Sequence, residues 1–80
     1  MHELRLVREL LEDLLQRGEE EGMQRVTKIE LRIGGLAEIE PEIVRHFFTE
    51  FSQGTILEGA ELVIEESPIR ELRLLGFEGE

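Results

Sequence analysis

The chain opens Met1-His2-Glu3, and this tripeptide holds the most distinctive coordination chemistry in the sequence. A histidine directly after the first residue lets three nitrogens reach one metal ion. These are the free α-amine, the His2 backbone nitrogen once deprotonated, and the His2 imidazole. The amine and amide nitrogens close a five-membered ring, and the imidazole Nδ1 closes a six-membered one. The set is close to planar and leaves a fourth position for the Glu3 backbone nitrogen or another donor. Planar nitrogen donors suit Ni(II) and Cu(II), whereas Zn(II) prefers a tetrahedron. Copper stands above nickel in the usual affinity order, so selectivity would rest on supply and partners. Met1 is expected to be retained, because removal of an initiator methionine needs a small second residue and His2 is bulky. The competing reading of these residues is a frayed, solvated chain end.

Other candidates for chemistry are sparse. His46 has Glu42 four residues before it and Glu50 four residues after it, the pattern of an exposed helical histidine with acidic neighbours. To serve as a second metal ligand it would need the amino terminus to fold across its helix. Ser52 and Ser67 have no His/Asp arrangement around them, and no H-E-x-x-H motif is present. Gly34-Gly35 lacks the further glycines or lysine of a phosphate-binding loop. The carboxylates fall mostly on expected solvent faces. No enzyme is expected.

The elements that must position these residues follow from periodicity. Leu4, Leu6, Val7, Leu10, Leu11, Leu14 and Leu15 recur at spacings of three and four, an amphipathic helix from Glu3 to about Arg17. Gly18 weakens that pattern and Gly22 is the expected terminator. From Val26 to Ile33 the period becomes two, with Thr27, Ile29, Leu31 and Ile33 on one side and Lys28, Glu30 and Arg32 on the other. That is a strand covered on one face. Leu36–Glu40 forms a short connection, and Pro41 suits the first position of a second helix ending near Gly54. Ile43, Val44, Phe47, Phe48 and Phe51 make its apolar side, so this helix is expected to be the densest part of the core. Glu61–Glu66 and Arg70–Leu75 alternate again, with Leu62, Ile64, Leu72 and Leu74 inward. They are expected to pair as an antiparallel hairpin through Ser67-Pro68-Ile69. The fold class is therefore α+β, with two helices packed on one face of a three-stranded sheet in the order helix-strand-helix-strand-strand.

Composition sets the outer bounds. Eighty residues make one domain, whose small core leaves only modest stability unless a metal, a disulfide or oligomerisation adds to it. With no cysteine, disulfides, thiolate zinc sites and thiol catalysis are excluded. Nineteen acidic residues against nine basic ones give a net charge of −10, and no basic stripe is interleaved with aromatics. No nucleic acid and no membrane partner is expected. No hydrophobic run is long enough to span a bilayer and no signal-peptide pattern is seen, so a soluble, cytoplasmic protein is expected.

Several short motifs lie in a recognisable order. They are Met1-His2-Glu3-Leu4 ahead of an amphipathic helix, then Arg25-Val26-Thr27-Lys28-Ile29-Glu30-Leu31-Arg32-Ile33-Gly34, then Pro41-Glu42 opening a helix. Gly54-Thr55-Ile56 and Glu58-Gly59-Ala60-Glu61-Leu62 follow, and Arg70-Glu71-Leu72-Arg73-Leu74 supplies the last strand. Together they resemble the HypA family. The resemblance implies a nickel metallochaperone that delivers Ni(II) to the [NiFe]-hydrogenase large subunit together with the GTPase HypB, some relatives also serving urease. It implies nickel binding at the amino terminus, on Met1, His2 and Glu3, with His2 as the ligating side chain. The family also carries a zinc domain with paired CxxC motifs between its last two strands, and here Ser67-Pro68-Ile69 stands in its place. The expectation is one nickel-binding domain over residues 1–80, with the zinc domain absent between residues 67 and 69 and no zinc bound. Removal of an insertion from a hairpin tip would be topologically easy. The alternative is an interaction or scaffold domain that keeps the fold without delivering metal, recruiting partners through a sheet edge or the first helix. In that reading Leu75 or Phe77 is covered in a dimer.

Overall fold

The computed structural model describes residues 2–35 and 40–80, with side chains described from Leu4 onward. The expected connection at residues 36–39 lies outside the described residues. Five elements run in the order expected: α1 (His2–Glu20), β1 (Val26–Gly34), α2 (Pro41–Ser52), β2 (Glu61–Glu66) and β3 (Glu71–Gly79). Both helices pack on one face of the three-stranded sheet. No helix among the described residues is long and apolar enough to cross a membrane.

Helix α1 continues through Gly18 because the missing side chain is what lets the helix lie close to its neighbours. A Cβ there would come within 2.9 Å of the Ile56 side chain. The helix then stops at Gly22, whose φ of 76° suits glycine. The Met23 amide donates to the Gly18 carbonyl and the Gly22 amide to the Glu19 carbonyl, each at 3.0 Å. This paired closure satisfies the last free carbonyls of the helix. Helix α2 begins as expected, with Pro41 in its first turn and Glu40 in extended conformation ahead of it.

The sheet order is β2-β1-β3, with β1 parallel to β2 and antiparallel to β3. The expected β2–β3 hairpin is therefore wrong. The connection from β1 to β2 runs through α2, and a helical crossover returns the chain in the same direction, which makes the pair parallel. Strand β1 carries the fully buried Val26, Ile29 and Leu31 with nearly buried Ile33, and takes the centre where both edges are covered. Ser67-Pro68-Ile69 is not a hairpin turn but a bridge over the end of β1. Two strand spacings amount to roughly 10 Å, within reach of the few residues between Glu66 and Glu71. The bridge sits directly on Gly34. A Cβ at that residue would lie 2.2 Å from the Ile69 carbonyl oxygen and 2.3 Å from that of Ser67. The Ser67 amide donates to the Ile33 carbonyl at 2.9 Å, and the Ser67 hydroxyl bonds the Glu71 carboxylate.

Two bulges adjust the faces. Val26 partners Gly79 and Lys28 partners Glu78, so Thr27 is an extra residue in β1. Val26 therefore turns inward, and Thr27, expected on the apolar row, is exposed. Its hydroxyl donates to the Glu78 carbonyl at 3.3 Å. In β3, Leu74 partners Leu31 and Gly76 partners Glu30, which leaves Leu75 as the extra residue. Leu72, Leu74 and Phe77 consequently all face the core. The centre of that core lies between α1 and β1 rather than on α2, because Phe47 and Phe51 are only half-buried and stack on each other, with ring centroids 6.1 Å apart. Leu57, in the connection before β2, is fully buried.

Candidate metal centre at the amino terminus

Met1-His2-Glu3 stands at the start of α1, whose helical backbone begins at His2. The side chains of all three lie outside the described residues. The first four N–H groups of a helix have no partner within it, and those of His2 and Glu3 belong to that set. Deprotonating them on metal binding breaks no helical hydrogen bond. The helix dipole opposes a bare cation at this end but favours the anionic amide nitrogens that would hold one. The chemistry of the His2 and Glu3 backbone donors is thus compatible with their position in the first turn of α1.

The platform beneath is rigid. Val7, Leu11 and Leu14 of α1 are fully buried, which fixes the helix to the sheet. At its first described turn, half-buried Leu4 shares a shallow recess with Arg5, Arg8 and Phe47 of α2. Arg5 and Arg8 each pair with a glutamate one turn on, at 3.9 Å to Glu9 and 3.7 Å to Glu12. Both pairs are exposed, so they fix charge positions more than they stabilise the helix.

His46 is exposed on α2, and its Nε2 lies 3.5 Å from the Glu50 carboxylate, an ion pair within one helix when the ring is protonated. Among the described residues, no three His, Asp or Glu side chains converge on a point where a metal could sit. The side chains of the donors expected from the sequence, Met1, His2 and Glu3, lie outside those residues. The feature that motif reading did not weigh is the bridge at Ser67–Ile69, whose dependence on a bare Gly34 is signalled only by the glycine pair ending β1.

The family model described as "Hydrogenase/urease nickel incorporation, metallochaperone, hypA" matches residues 1–72. The chain belongs to the HypA family. Its relatives include the hydrogenase maturation factor HypA of Moorella thermoacetica, 40% identical over 70 residues that make up 88% of this chain and 62% of that protein. HypA of Chlorobaculum tepidum is 41% identical over 66 residues, 82% of this chain and 58% of the relative. The hydrogenase maturation factor HybF of Salmonella typhimurium is 41% identical over 68 residues, 85% and 60% respectively. The chain thus spans about three fifths of the length of these HypA relatives. A metallochaperone is a carrier and not a catalyst, in agreement with the expectation that this HypA-family chain is no enzyme.

Proposed function

We propose that the chain carries Ni(II) for hydrogenase maturation, bound by the α-amine of Met1, the backbone nitrogen and imidazole of His2, and the backbone nitrogen of Glu3. The nickel is cargo. It passes on, with a HypB-type GTPase, to a [NiFe]-hydrogenase large subunit in the cytoplasm. The observation that supports this reading is positional: the family match starts at Met1 and α1 starts at His2, so the His2 and Glu3 amides belong to a first turn whose N–H groups have no partner within the helix. Ser67-Pro68-Ile69 replaces the family's zinc domain, and no zinc takes part.

The test is a nickel titration of a chain whose first residue is an unblocked Met1. The expected result is about one Ni(II) per chain with the absorption spectrum of a planar nitrogen site, and release of protons as the ligands give them up. His2→Ala, or acetylation of the α-amine, removes both signals. Nickel that stays as free as in buffer would overturn the carrier reading. If partner capture by a HypB-type GTPase then persisted, the chain would be an interaction module that keeps the HypA fold.

A further inference from the structure

We draw no further inference here: the strongest candidate, the groove between α1 and β3 lined in part by Leu6, Leu10, Leu72 and Leu74, is an unpartnered apolar face whose flanking acidic and basic side chains balance, and nothing in the structure shows what covers it.

Discussion

Gly34→Ala is the sharpest probe of how this chain closes its sheet. The added Cβ would sit 2.2 Å from the Ile69 carbonyl oxygen and 2.3 Å from that of Ser67, so the bridge must retreat by roughly 1 Å. Both obstacles are backbone, and no side-chain rotation relieves them. Overpacking against a rigid neighbour costs about 1–3 kcal/mol. The retreat also breaks the Ser67-to-Ile33 hydrogen bond of 2.9 Å, worth about 1 kcal/mol. The expected loss is about 2–4 kcal/mol, against a total stability of about 4–12 kcal/mol for a domain of this length. With a urea slope of about 1 kcal/mol per molar, the unfolding midpoint should fall by about 2 M or more. Gly76→Ala, which meets nothing within 4 Å, is the control and should move it little. Lengthening the bridge by several glycine and serine residues should recover much of the loss, since a longer loop need not lie on residue 34 and its added closure entropy is small. A midpoint shift below about 0.5 M for Gly34→Ala would refute the account of the bridge.

Further outcomes follow from the same geometry. Leu11→Ala empties a fully buried position between α1 and the sheet and should cost about 2–5 kcal/mol, read by urea unfolding. Gly22→Ala keeps open space around the new methyl but forces alanine to a φ of 76°; the cost of about 1–2 kcal/mol should lower Tm by several degrees in a calorimetric scan. His46→Ala should leave nickel stoichiometry unchanged in the titration described above, because His46 is exposed and lies beside Glu50 at 3.5 Å. A halved stoichiometry would place a donor on α2.

Every helix and strand was legible in the chain because each buries one face, and burial imprints a period of 3.6 or 2 on the sequence. Gly22 and Pro41 marked a helix end and a helix start for backbone reasons that need no tertiary contact. The coordination chemistry of Met1-His2-Glu3 was equally local, since its donors are neighbours along the chain. Strand pairing was not legible. Leu62, Ile64, Leu72 and Leu74 display the same alternation whether their strands touch each other or flank a third. Only the central placement of β1, with its buried Val26, Ile29 and Leu31, decided between the two. The slip at Thr27 and the extra residue at Leu75 were hidden for a related reason, because a bulge is a mismatch between two strands and neither strand records it alone. The sequence by itself thus settled which segments are amphipathic and where the backbone must turn, and it raised the expectation that adjacent nitrogens at its start hold a metal. Tertiary structure alone decided that β1 lies between β2 and β3, that Gly34 must be bare beneath a bridging carbonyl, and that an uncovered edge ends the sheet, since each depends on which distant residues come within contact distance.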